Sequence, residues 1–244
     1  MAFDAEYFRT HTYKDVSFAK YSQYWWSNRF YAILARRYGK PGARMLEIGS
    51  GLGHLSGQLE GTYQTYAVDI NHWALVQSKA FALRTFLQTA HAEELSFAKG
   101  IFGVVLIKHV VEHLPHPENA ISELGRIMAP GGVLIFATPN LSSLLKSWKG
   151  ERWIGYQDPT HISLKPADEW LDMIRAANFK LLKVFSDGFW DVPYIPVVPK
   201  VLQKLSFGCL GGFQAMVGIP FLPMRWGESI IVVARKKTMD ENNQ

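Results

Sequence analysis

Three histidines stand where a base could meet a reactive ligand: His109 and His113, in the run Lys108-His-Val-Val-Glu112-His113, and His161, in Asp158-Pro-Thr-His161. An imidazole titrates near ~6.5, so at neutral pH it can accept a proton from a hydroxyl. His161 is the candidate general base, because it falls in a connection that follows a predicted strand, and such loops are free to meet a substrate. His113 is the second catalytic candidate, with a scaffold or substrate-orienting role as its plainer reading. No metal centre is expected. His109, Glu112, His113 and His116 lack the H-E-x-x-H order, and Pro115 and Pro117 break the helix that would align them. The single cysteine, Cys209, excludes a multi-thiolate zinc site and an internal disulfide framework.

A second constellation binds rather than reacts. In Arg44-Met-Leu-Glu-Ile-Gly-Ser-Gly-Leu-Gly-His54 a predicted strand runs into Gly49, Gly51 and Gly53 and then into a helix. Glycines there let the backbone turn tightly and let a ligand lie against it, with the amides of the next helix start facing that ligand. Asp69 closes the following strand, Tyr66-Ala-Val-Asp-Ile, where a carboxylate can accept both hydroxyls of a ribose. Alone, the glycines fit any tight strand–helix turn; with Asp69 they describe a nucleoside site. A dinucleotide fingerprint fits poorly, because the third glycine of G-x-G-x-x-G falls on His54 or Ser56 according to frame. None of the ten tyrosines has a lysine four positions on, so a short-chain dehydrogenase pair is absent too.

Glu47 completes a turn that resembles the E-x-G-x-G-x-G of class I S-adenosylmethionine-dependent methyltransferases. The resemblance extends in order through AVDIN, AEELSF at 92–97, VVEHLPHPENAISELGRIMAPGGVLIFATPN at 110–140 and DPTHISL at 158–164. It implies a Rossmann-like, doubly wound α/β fold with a mostly parallel seven-stranded sheet and helices on both faces. It also implies S-adenosylmethionine as cofactor. Gly49, Gly51 and Gly53 would lie against its methionyl part, Glu47 would help hold its amino group, Asp69 would bind the ribose and Ile70 would pack on adenine. Lys108 joins this set at the end of the fourth strand. Where the family carries Asp-Ala near the adenine amine, this chain has His91-Ala92, so adenine would be read by His91 or by the backbone of Ala92 and Glu93. Glu112-His113 recurs in the family in the helix after strand four. The run after strand four is not the Asn/Asp-Pro-Pro-aromatic of exocyclic-amine methylation, and Cys209 lies far from the core, which together argue against a nucleic-acid substrate. The acceptor expected is a hydroxyl of a small or lipid-like molecule. Alternatives are a non-catalytic cofactor-binding or partner protein, and a nucleotide-dependent oxidoreductase.

The elements that must position these residues follow from apolar patterning. With 244 residues, 48% hydrophobic and 19% charged, the chain can bury one sizeable core and is not a disordered or fibrous sequence. From Arg44 to Asn140 short apolar runs alternate with longer amphipathic ones, the mark of crossover connections and a parallel sheet. Residues 1–41, with Tyr21, Tyr24, Trp25, Trp26, Phe30 and Tyr31 at helical intervals, form an N-terminal helical cap. Residues 42–237 form the methyltransferase domain, with a helix over 167–179, a strand over 180–186 and a last strand in 227–237. Residues 238–244 form a flexible tail. Between those strands lies an insertion, 187–227, much longer than an ordinary strand connection. Its stretch from Leu205 to Met224 carries no charge, but Gly208, Gly211, Gly212, Gly218, Pro220 and Pro223 argue against a membrane-spanning helix. The insertion is expected to be a lid or an interfacial surface, with peripheral membrane contact through 189–226. The net charge of +5 suits anionic ligands or anionic membrane surfaces. MAFDAEYFRTHTYKD has no apolar core of a secretory signal, so a cytoplasmic location is expected, and oligomeric state is left open.

Overall fold

The computed structural model describes residues 16–242. The interpretation of residues 1–15 as free of a secretory signal therefore lies outside the described residues. Seven strands form one sheet: β1 (Arg44–Ile48), β2 (Gln64–Asp69), β3 (Phe86–Thr89), β4 (Phe102–Lys108), β5 (Met128–Pro139), β6 (Phe179–Ser186) and β7 (Ser229–Lys236). Their order is β3-β2-β1-β4-β5-β7-β6. β3, β2, β1, β4 and β5 pair in parallel, and β7 runs antiparallel between β5 and β6. The sheet is the doubly wound, mostly parallel one that the alternating apolar runs imply. Chain progression reverses between β1 and β4, and that switch opens a crevice beyond their carboxyl ends.

The helices lie on both faces: α1 (Gln23–Tyr38), α2 (His54–Leu59), α3 (His72–Ser78), α4 (Pro117–Ile127), α5 (Leu144–Lys149), α6 (Ile154–Gln157), α7 (Ala167–Ala176), α8 (Lys200–Ser206) and α9 (Gly208–Val217). Local chemistry starts several of them. Ser22 accepts from the Trp25 amide at the head of α1, Asn71 accepts from the Ala74 amide at the head of α3, and Pro117 occupies the first turn of α4. Glu112 and His113, expected in the helix after β4, instead occupy a single 3-10 turn, Val111–His113, because Pro115 and Pro117 delay the α-helix to 117.

Two apolar layers follow from the period-2 alternation of the strands. One face packs Leu46, Ile48, Phe102 and Phe136 against Trp170 and Ile174 of α7. The other packs Met45, Val104, Leu106 and Phe185 against Phe30 and Leu34 of α1 and Leu55 of α2. The same alternation sends Glu47 and Lys108 to the α1 side, because Glu47 pairs with Leu106 and Lys108 lies two residues on.

The insertion between β6 and β7 folds as α8 and α9, and no helix among the described residues is long and apolar enough to cross a membrane. Two buried glutamines hold it. Gln203 accepts from the amides of Tyr194 and Ile195 (2.6 and 3.0 Å) and donates to the carbonyls of Ile195 and Val198 (both 2.7 Å). Gln214 donates to the Ser186 carbonyl (2.8 Å) and accepts from the amides of Phe221 and Leu222 (2.8 and 2.9 Å). In the tail, a short 3-10 turn over Asp240–Asn242 brings Glu241 to 3.6 Å from Lys180.

Gln214→Leu keeps the volume but strands two amide donors and a carbonyl, and unsatisfied buried groups cost about 1–3 kcal/mol each with partial relaxation. A loss of roughly 2–4 kcal/mol is expected, read as a lower urea midpoint; an unchanged midpoint would show that the insertion is held by other contacts.

Candidate active site

The crevice is a cavity of about 790 Å³. Its floor is the glycine turn after β1. Gly49, Gly51 and Gly53 all take positive φ (71°, 50° and 75°). A Cβ at Gly49 would stand 2.2 Å from the Val110 side chain, so the turn and the end of β4 touch backbone to side chain. Asp69 fastens this turn to β2: its Oδ2 accepts from the Gly51 amide and its Oδ1 from the Asn71 amide, both at 2.8 Å. Each oxygen retains acceptor capacity beyond that bond. Burial raises the Asp69 pKa, and the two amides oppose that rise.

Glu47 lies beside the same turn. Its Oε2 accepts from the Ser56 amide (2.9 Å) and hydroxyl (2.5 Å), at the start of α2. Burial pushes its carboxyl up to about 7 despite those bonds and despite the nearby Lys108 ammonium. Lys108 donates to Asn28 Oδ1 at 2.9 Å and lies 5.1 Å from the ring centre of Tyr31 and 5.8 Å from that of Tyr24. Burial lowers its pKa, while Glu47 counteracts the shift.

Of the residues expected to hold a cofactor, Glu47, Gly49, Gly51, Asp69, Ile70, His91, Ala92 and Lys108 all line this cavity. Gly53 does not: a Cβ there would meet Ser78 at 2.7 Å and Ala82 at 3.2 Å, so this glycine serves the close approach of α2 to the end of α3. Glu93 does not line it either, and its carboxylate accepts from the His116 amide at 2.9 Å. Of the residues expected near adenine, His91 and Ala92 face the cavity.

Opposite the glycine turn lie the histidines. His161 Nδ1 is 2.7 Å from the Gly155 carbonyl, an acceptor only, which fixes the proton on Nδ1 and the lone pair on Nε2. Nε2 lies 3.9 Å from Asp158 Oδ2. His113 packs its ring 4.8 Å from that of His161, and its Nδ1 meets the carbonyl and hydroxyl oxygens of Thr160 (3.2 and 2.9 Å). Burial lowers the His113 pKa. Beneath both is fully buried Glu112, which accepts from Thr138 Oγ1 at 3.0 Å and from His109 Nδ1 at 3.2 Å. Burial pushes its carboxyl up, but the His109 bond and the fields of His109, His113 and His161 outweigh it and the pKa is lowered. Glu112, His113 and His161 each bring one ligand atom within 4.8 Å of the others, a two-imidazole, one-carboxylate set that a divalent ion could use. Both oxygens of Glu112 already accept hydrogen bonds.

Sequence reasoning missed the rest of the wall. Tyr24, Asn28 and Tyr31 come from α1, Ile154 and Gln157 from α6, and Asp187, Trp190, Asp191 and Glu228 from the insertion and its margins. The one local signal was Asn28, an amide within an aromatic helix. Asn28 Nδ2 and Ser50 Oγ, both in this wall, are buried without a hydrogen-bond partner among the described residues. Glu228 accepts from Trp153 Nε1 (2.6 Å) and the Tyr194 hydroxyl (2.8 Å), and burial raises its pKa to about 7. Seven carboxylate residues and one lysine line the cavity among the described residues, a balance that attracts a cation.

Because its folded value of about 7 exceeds the ordinary 4.5, Glu47 is largely neutral in the unliganded protein at pH 6, and its share of stability fades as pH rises through 7. An ammonium ligand needs the ionised form. Its affinity should therefore rise about tenfold between pH 6 and the plateau above 7, a dependence that Glu47→Gln should flatten in calorimetric titrations. Asp69→Ala removes both the turn's tether and the ribose acceptor, and should weaken nucleoside binding at least tenfold in the same titration.

A family model described as a methyltransferase domain matches residues 18–184. A malonyl-[acyl-carrier protein] O-methyltransferase of Geobacter sulfurreducens is 28% identical over 180 residues, 69% of this chain and 66% of that protein. A ubiquinone biosynthesis O-methyltransferase of Burkholderia thailandensis is 29% identical over 157 residues, 59% and 67% of the two chains. The crystal structure of a SAM-dependent methyltransferase from Archaeoglobus fulgidus superposes with a TM-score of 0.59 at 20% identity, covering 86% of this chain and 94% of that one. Sheet order, glycine turn and family match agree: the chain belongs to the methyltransferase domain family, the class I S-adenosylmethionine-dependent enzymes.

Proposed function

We propose that the protein methylates a hydroxyl oxygen of a small or lipid-like acceptor, with His161 as the general base. The observation that carries this reading is the 2.7 Å bond from His161 Nδ1 to the Gly155 carbonyl, which leaves Nε2 as the basic nitrogen at the cavity wall. S-adenosylmethionine, when bound, supplies a methyl group already activated by the positive sulfur. The residues present fit it. Glu47 and Asp69 offer acceptors to an ammonium and a ribose, and the unpartnered Asn28 Nδ2 and Ser50 Oγ offer hydrogen bonds to a carboxylate. Ile70 and Ala92 offer apolar contact to a base.

What remains for this chain is to position the acceptor and remove its proton. His161 Nε2 takes the acceptor's hydroxyl proton, so that the oxygen would be free to receive the methyl group as its bond to sulfur breaks and S-adenosylhomocysteine leaves. Asp158, 3.9 Å away, stabilises the resulting imidazolium, and buried Glu112 adds a second negative charge below it. His113, packed on His161, holds that ring in place. Relatives named as O-methyltransferases support oxygen as the acceptor atom. The apolar wall contributed by Ile154, Trp190 and Ala215 supports an acceptor with a sizeable apolar part. The 187–227 insertion acts as the lid over it.

Turnover of labelled S-adenosylmethionine against a panel of phenolic and lipid-like alcohols tests the proposal. His161→Ala should lower kcat by about 10²–10⁴-fold, while S-adenosylhomocysteine still raises the melting temperature and NAD does not. Full activity of His161→Ala would discard this histidine as the base, and stabilisation by NAD instead would discard the methyl donor.

A further inference from the structure

The insertion is folded inside out. In α9 the inward positions Gly211, Gln214, Ala215 and Gly218 recur at helical spacing, and a Cβ at Gly218 would stand 2.5 Å from Ile33 of α1. The outward positions Leu210, Phe213, Met216 and Val217 are apolar, with Phe213 54% exposed. In α8 only Gln203 is buried, while Val201 and Leu205 are 67% and 66% exposed. The polar glutamines thus spend their amides on loop backbone, and the apolar side chains face outward. Phe221, at 6.1 Å from Phe213, continues this surface. Scattered exposed apolar residues are ordinary; a two-helix face of them marks an interaction surface.

Charge selects the occupant. Between Asp191 and Glu228 the sequence has no acidic residue, and its charged residues there are Lys200, Lys204 and Arg225, all exposed. A second copy packed about a two-fold axis would bring those cations together with no carboxylate on the patch to pair them. An anionic lipid surface offers apolar depth to the helices and phosphates to the cations at once. We infer that the outward face of α8 and α9, with Lys200 and Lys204 on α8 and the exposed Arg225 later in the insertion, seats the protein on an anionic lipid bilayer. The insertion's other side walls the cavity through Trp190, Asp191 and Ala215. A bilayer-borne acceptor would therefore reach the site beside the surface that holds the enzyme; this last step rests on the function proposed above, whereas the docking does not.

The test is cosedimentation of the full chain with phosphatidylcholine vesicles, with and without phosphatidylglycerol. The wild type should sediment with the anionic vesicles and not with the neutral ones. Lys200→Ala/Lys204→Ala/Arg225→Ala should weaken partition about 100-fold, at roughly fivefold per charge, and Leu205→Glu/Phe213→Glu should abolish it. The triple variant alters exposed side chains alone and keeps the test open should the double variant fail to fold. Failure of the wild type to bind anionic vesicles overturns the inference, as does equal binding to neutral ones. A dimer in solution that Leu205→Glu/Phe213→Glu dissociates, without vesicle binding, assigns the face to a second copy instead. S-adenosylhomocysteine binding in the absence of vesicles reads the methyltransferase proposal separately, so either can fail alone.

Discussion

The bond from the Gly51 amide to Asp69 is the constraint on which the site depends. A turn with three positive-φ glycines has many conformations in the free chain, and glycine loses the most entropy when one of them is fixed. One carboxylate bridges that turn and the first residues after β2, so two loops at the sheet's edge become one surface. The direction of α2 follows, because the turn delivers the Ser56 amide and hydroxyl to Glu47. Through Glu47 and Lys108, which share a sheet face by strand parity, the arrangement reaches Asn28 and the tyrosines of α1. The N-terminal helix thus forms part of the binding wall as well as covering the core.

Burying this many carboxylates is unfavourable until something positive arrives. Glu47 and Glu228 meet the cost by moving toward neutrality, with burial the largest cause for each. Glu112 behaves differently: three histidines surround it, so it is charged where the others resist charge. The cavity is divided accordingly. At the glycine turn the acids have a tunable charge suited to a cationic ligand, and at the histidine wall a fixed negative charge favours an imidazolium. One end is suited to hold a cation, and the other to stabilise an imidazolium.

Much of this was legible from local pattern. The parallel sheet could be read from strand–helix alternation, and the glycine turn with Asp69 from spacing alone, because both are set by interactions within a few residues or within one βαβ unit. Residues that sequence reasoning missed, or whose packing it did not show, depend on contacts distant in sequence. Gly53 has the same positive φ as Gly49 and Gly51 and differs in meeting Ser78, at the end of α3, and Ala82 beyond it. Glu93 turns away because the His116 amide needs an acceptor. Asn28, an amide in an aromatic helix, meets its partner, Lys108, 80 residues on. His161 was singled out for its loop, yet what fixes its tautomer is the Gly155 carbonyl in a short helix that no periodicity announced.

Net charge misleads in the same way. A surplus of five positive charges suits anionic partners, yet the cavity wall holds seven carboxylate residues against one lysine. Both facts are consistent once the two sides of the insertion are separated. Asp187, Asp191 and Glu228, at its ends, face the cavity, while Lys200 and Lys204, within it, and Arg225, near its second end, are exposed. A chain that leaves the sheet and returns to it must place its ends near the site and its middle away from it. An insertion with acidic ends and a basic middle therefore presents opposite fields to a ligand inside and to a surface outside. Sequence alone gives the sum of those fields; only the fold gives their separation, on which the specificity of the site rests.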